Sequence, residues 1–177
     1  AFRLHRSLRN TIQRQRHEGR LEIRFDHDFE RVVRACANTA RDGQAGTWIL
    51  PAMVEAYVRL HQAGLAHSVE TWLDGELAGG LYWVNLGGMA YGESMFNRRT
   101  DASKMALSAL VAFCRAQDLP LIDCQQNTAH LTSLGAQLMT REDFCAHVRT
   151  ALLRPAPAWK FLPVYWQHLL SDHGPRA

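Results

Sequence analysis

A chain of 177 residues with 47% hydrophobic and 21% charged residues suits one compact domain with its own core, or one domain with a small appendage. No apolar run is long enough to span a bilayer and no signal peptide is visible, so neither a membrane-embedded nor an exported protein is expected. The net charge is only +3, yet Arg3, Arg6, Arg9, Arg14, Arg16, Arg20 and Arg24 crowd the first segment, opposed there by Glu18 and Glu22. Such a stretch reads either as a phosphate-binding surface or as a solvated basic face, and charge alone favours the second. Cys36, Cys114, Cys124 and Cys145 are scattered without a Cys-x-x-Cys pair, which argues against a structural metal and for a reduced, cytoplasmic protein. The chain opens Ala1-Phe2-Arg3 without an initiator Met, as expected of a fragment or a processed protein.

Residues 2–20 carry a weak helical signal, and Leu21 to Phe25 alternates as a short strand. Asp28 then caps a helix whose apolar positions Phe29, Val32, Val33 and Cys36 recur at helical spacing. Residues 41–46 read as a loop. Pro51 suits the first turn of a helix running to about Gln62 and ended by Gly64. A meander follows: a strand from His67 to Leu73, a tight Asp74-Gly75 hairpin, a strand from Glu76 to Asn85, a turn at Leu86-Gly87-Gly88, and a strand from Met89 to Phe96. A crossover helix is expected over Asp101 to Gln117, and it leads to a strand beginning at Leu119 that should lie parallel to a neighbour. Thr128 to Leu134 reads as a short helix, Gln137-Leu138-Met139 as a brief strand, and Thr140 with Asp143 as a variant capping box opening a helix to about Leu153. Beyond Arg154, Pro155, Pro157, Pro163 and Pro175 make an irregular tail whose aromatics, Trp159, Phe161, Tyr165 and Trp166, should pack back on the body.

The stretch from Leu119 to Gln125 switches from apolar residues to a carboxylate and a carboxamide. Strand alternation puts Asp123 and Gln125 on one face, a site-like pair at a strand end. The competing reading, that Asp123 caps the next helix or anchors a loop, stands level with it. Glu93 and Met95 share a face by the same parity; an acid in an apolar strand needs a partner, structural or substrate. Meander, crossover helix and buried strand together form an α+β arrangement of the GNAT-like type, a mixed sheet flanked by helices. The turn after the third strand carries no glycine, and Asp101 puts negative charge where a pyrophosphate would sit. Acetyl-CoA is therefore not the expected donor.

The segments AHSVE (Ala66–Glu70), GGLY (Gly79–Tyr82), GESMF (Gly92–Phe96), Ala102-Ser103-Lys104, LIDCQ (Leu121–Gln125) and HLTSLGA (His130–Ala136) occur in this order. They closely resemble the leucyl/phenylalanyl-tRNA–protein transferases of the bacterial N-degron pathway, from about His5 to about Val148. The resemblance implies transfer of Leu or Phe, less readily Met, from aminoacyl-tRNA to proteins with N-terminal Arg or Lys, marking them for degradation, with no cofactor. It implies Asp123 and Gln125 as the catalytic pair and Glu93 in the aminoacyl site. Leu81, Met95, Leu107 and Ile122 would line the side-chain pocket, and Trp48 would meet the terminal adenosine of the tRNA. Arg3, Arg6, Arg9, Arg14 and Arg16 would contact tRNA phosphates. His67 and His130, within matched motifs, are expected to make structural hydrogen bonds.

The family also carries an aromatic- and proline-rich W-S-P-D-P-R-like segment before the point at which this chain begins. On that basis residues 1–46 read as the remnant of a small N-terminal domain and residues 47–177 as the GNAT-like catalytic domain. The alternative expectation is an inactive tRNA- or degron-binding remnant. Trp83 follows GGLY where glycine is common, placing a bulky ring near the pocket strand. A parity conflict also stands: Ile122 and Asp123 cannot face one site from a regular strand.

Overall fold

The computed structural model describes residues 2–39 and 48–171. The loop expected over 41–46, the boundary between 46 and 47, and Pro175 lie outside these residues. The elements run α1 (Arg6–His17), β1 (Leu21–Phe25), α2 (Phe29–Ala37), α3 (Pro51–Gln62), β2 (Ala66–Leu73), β3 (Glu76–Leu86), β4 (Met89–Asn97), α4 (Ala102–Ala116), β5 (Ile122–Asp123), α5 (Ala129–Ser133), α6 (Arg141–Leu152) and α7 (Gln167–Leu170), the last preceded by a 3-10 turn over Pro163–Trp166. The strands form a five-stranded sheet in sequence order. β1 to β4 are antiparallel, and α4 crosses over to bring β5 parallel to β4. This mixed sheet flanked by helices is the expected GNAT-like α+β arrangement.

Apolar residues cover both faces of the sheet, and each cover is a separate cluster. On one face α4 packs with α1 and the C-terminal segment over Val69, Leu81 and Trp83; on the other, α2 and α3 pack over Tyr82 and Phe96. β2 is buried along its whole length, and its polar side chains find partners inside the protein, save His67 Nε2, which has none among the described residues. Glu70, fully buried, accepts from the Asp28 backbone N–H at 2.7 Å, from Trp72 Nε1 at 2.9 Å and from Ser68 Oγ at 3.2 Å. The entry to α2 is therefore held by Glu70, and Asp28 makes no side-chain cap.

The Asp74-Gly75 hairpin takes positive φ at both residues, 55° and 80°, the geometry that favours this dipeptide in a two-residue turn. Gly79 marks the closest approach of β3 to α4: a Cβ there would lie 2.7 Å from Ala102 Cβ and 2.8 Å from the Ser103 backbone nitrogen. Thr140 caps α6, its Oγ1 accepting from the Asp143 N–H at 3.1 Å.

Two expected strands differ. Gln137-Leu138-Met139 forms none; Leu138 is 82% exposed, and among the described residues no strand pairs with it. The strand expected from Leu119 is reduced to Ile122–Asp123, paired only through Ala90↔Ile122 and Tyr91↔Asp123. Trp83 also lies away from the pocket. It is wholly buried in the α4-side cluster, edge-on to Phe25 at 5.7 Å and to Trp159 at 5.1 Å. No helix among the described residues is long and apolar enough to cross a membrane.

Candidate active site

Past Tyr91, β4 continues to Asn97 without β5 beside it, and a cavity of about 450 Å³ opens there. A cavity of that size is in the range of small-molecule sites. Leu81 from β3, Met95 from β4, Leu107 from α4 and Ile122 from β5 give its apolar surface. Trp48, Glu93, Gln125 and Gln126 line it too, with Thr128 and His130 from the segment after β5. All six substrate-contacting residues expected from the sequence thus border one space, together with Gln125.

The route by which two of them arrive differs from simple alternation. Tyr82 pairs with Ser94 and Trp83 with Gly92, so Glu93 is an extra residue, a β-bulge. A bulge re-aims the side chain it carries. Glu93 accordingly parts from Met95, which packs on the α4-side cluster, and its Oε2 accepts from the Tyr57 hydroxyl of α3 at 2.8 Å. Tyr57 stacks edge-on with Tyr82 at 4.8 Å. Burial, and then the bond to Glu93, pushes the Tyr57 hydroxyl well above the usual phenol range. It stays a proton donor at any physiological pH.

The expected shared face of Asp123 and Gln125 is likewise replaced by a turn. Gln125 has φ 53°, a left-handed backbone that ends the pleat. Asp123 Oδ1 accepts from the Gln125 backbone N–H at 2.8 Å, the short-range bond that lets an Asp stabilise such a turn. Asp123 thereby anchors the backbone from which the Gln125 side chain reaches the cavity. Ile122 lines the cavity while Asp123 does not, which removes the parity conflict. Cys124 lies between them half-buried, its thiol pushed up by burial and then by Asp123.

His67 donates its Nδ1–H to Asp26 Oδ2 at 2.7 Å, a structural bond as expected, whereas His130 borders the cavity. Asp26, His61 and His67 are close enough together to suggest a metal. However, the Nδ1 of His61 meets the Ala66 carbonyl at 2.8 Å and that of His67 meets Asp26. Both ring nitrogens facing the cluster already have oxygen partners, so hydrogen bonding accounts for the group. Of the five arginines read as phosphate contacts, Arg3, Arg6, Arg14 and Arg16 are exposed on or before α1, and Arg9 is half-buried. Arg9 Nη1 donates to the Leu170 carbonyl at 2.8 Å, and Arg16 lies 5.6 Å from the Trp166 ring centroid. Tyr57 is the site residue that sequence reasoning missed. Its position on α3 among Val54 and Val58 is indistinguishable from a core aromatic.

The model of the leucyl/phenylalanyl-tRNA protein transferase family matches residues 1–149. The chain belongs to this family. It is 55% identical over 174 residues to the leucyl/phenylalanyl-tRNA–protein transferase of Polaromonas sp., covering 98% of this chain and 68% of that protein. With the same-named protein of Methylibium petroleiphilum it shares 54% identity over 175 residues, or 98% of this chain and 66% of the relative. The chain thus spans about two thirds of the length of these relatives. Among solved structures, a ribosomal-protein-alanine N-acetyltransferase from Brucella melitensis biovar Abortus 2308 is similar with a TM-score of 0.44 at 13% identity, covering 81% of this chain and 96% of that one. Membership makes this an aminoacyltransferase chain, with aminoacyl-tRNA as the substrate that the family name states.

Proposed function

We propose that the chain transfers Leu or Phe, and less readily Met, from aminoacyl-tRNA to the α-amino group of cytoplasmic proteins that begin with Arg or Lys, marking them for degradation. The observation that carries this reading is the single cavity in which Leu81, Met95, Leu107 and Ile122 adjoin Glu93 and Gln125. An apolar side chain would enter among the first four, where a charged one is rejected by its desolvation cost. The polar groups would meet the ammonium and the ester. Trp48, which borders the same space, would stack on the terminal adenosine.

The aminoacyl ester is already activated, so the reaction needs no covalent nucleophile. The incoming amine attacks the ester carbonyl, the C–N bond forms, the C–O bond to the ribose breaks, and the ribose oxygen leaves with a proton. Gln125 hydrogen-bonds the attacking amine, and Asp123 holds Gln125 in its turn, so positioning supplies much of the rate. The test is transfer of labelled Leu from Leu-tRNA to a peptide beginning with Arg. Gln125→Ala and Asp123→Ala are each expected to lower kcat by about tenfold or more. Asp123→Asn keeps an acceptor for the Gln125 N–H and is expected to retain more activity than Asp123→Ala. Transfer unaffected by the two alanine substitutions refutes the pair. Binding of tRNA without any transfer by the unaltered chain would point instead to an inactive remnant.

A further inference from the structure

A second cavity, of about 340 Å³, lies behind the first, its far side formed by apolar residues that include Val111, Leu119 and Leu134. The two cavities have Leu107, Ile122, Cys124 and Leu131 in common, so these side chains are the wall between them. Leu107 is the fixed part of that wall. It is 8% exposed on α4, a helix packed on β2, β3 and α7 that cannot shift to admit more volume. The rest is held less firmly: Leu131 belongs to α5, which buries none of its residues, and Ile122 to the two-residue β5. Among the described residues the one charged side chain bordering the second cavity is that of Arg115, whose Nη1 donates to the His168 carbonyl at 3.0 Å. The space therefore suits only an apolar group.

We propose that this wall, with Leu107 as its rigid member, sets the upper size of the aminoacyl side chain, and that the second cavity is an apolar annex that a larger side chain enters once the wall is opened. The proposal rests on the first cavity being the aminoacyl site. A Leu or Phe side chain ends against Leu107 and Ile122. A larger ring has to displace them, and a packed core resists that insertion. Discrimination against smaller side chains comes from an unfilled gap and stays weak. Selectivity is thus strict upward in size and loose downward.

The test compares one tRNA body acylated with leucine or with 2-naphthylalanine, using a peptide acceptor that begins with Arg. Leu107→Ala is expected to raise the kcat/KM ratio of naphthylalanine to leucine by about tenfold or more. Leu131→Ala opens the same wall from its exposed end and is expected to shift the ratio in the same direction, which covers a loss of folding in the first variant. Val111→Phe fills only the annex, so alone it leaves leucine transfer unchanged, and in Leu107→Ala/Val111→Phe it restores the original ratio. An unchanged ratio in both wall variants, or a gain that Val111→Phe does not reverse, overturns the proposal. Equilibrium binding of 3′-amide-linked leucyl and naphthylalanyl adenosines is measured beside transfer. Should the unaltered chain fail to transfer leucine, the transferase reading falls, and the binding ratio still decides the wall.

Discussion

The Tyr57 hydroxyl is the nearest thing in the site to a dedicated support. It donates to the Glu93 carboxylate at 2.8 Å, and burial keeps it protonated. Tyr57→Phe removes that donor while keeping the ring against Tyr82. One such hydrogen bond is worth about 1 kcal/mol net, so kcat/KM for aminoacyl-tRNA is expected to fall about fivefold with the melting temperature little changed. Steady-state kinetics beside thermal denaturation separates this from general destabilisation. At the same scale, the motif residues were legible because GESMF and LIDCQ are specific strings, yet their geometry was not. Alternation placed Glu93 beside Met95 and Asp123 beside Gln125, and both pairings failed for a local reason. Glu93 is the extra residue of a bulge, and Gln125 takes a positive φ. Neither feature has a signal in the order of apolar and polar residues, and both sit at the site.

At the scale of elements, β1 and the hairpin formed at the predicted residues, because an alternating run or an Asp-Gly turn is specified locally. The strand from Leu119 failed because its extent depends on what β4 offers, which is pairing at Ala90 and Tyr91 alone. The tightest inter-element contact runs through Gly79, where an added Cβ would fall inside the start of α4 at Ala102. Gly79→Ala must push α4 off β3 or distort the strand, at a cost of about 1–3 kcal/mol for overpacking. Urea denaturation is expected to show a lowered midpoint. Because α4 also carries Leu107, KM for aminoacyl-tRNA should rise even at temperatures where the variant remains folded.

Across the whole molecule, α1 is tied to the C-terminal segment through Leu8 and Ile12 in the core, the Arg9–Leu170 hydrogen bond and the Arg16–Trp166 contact. This division of labour leaves Arg3, Arg6 and Arg14 outward as the phosphate contacts we propose. If each neutralises one tRNA phosphate, a plot of log affinity against log salt should have a slope of about −2 to −3, and charge removal at all three should flatten it. Trp166, 3% exposed, holds the other side of that tie, and Trp166→Ala is expected to cost about 3–5 kcal/mol of stability, read in the same urea titration. The unmatched end of β4 carries a consequence for experiments of every kind. From Gly92 to Asn97 its outer backbone groups have no strand beside them among the described residues, and such a border recruits other chains into intermolecular sheet. The bulge and the carboxylate at Glu93 interrupt it near its start. Residue 93 therefore guards solubility as well as facing the cavity: replacing it with valine or isoleucine would seed aggregates and mimic a catalytic defect, whereas glutamine would report on the chemistry alone.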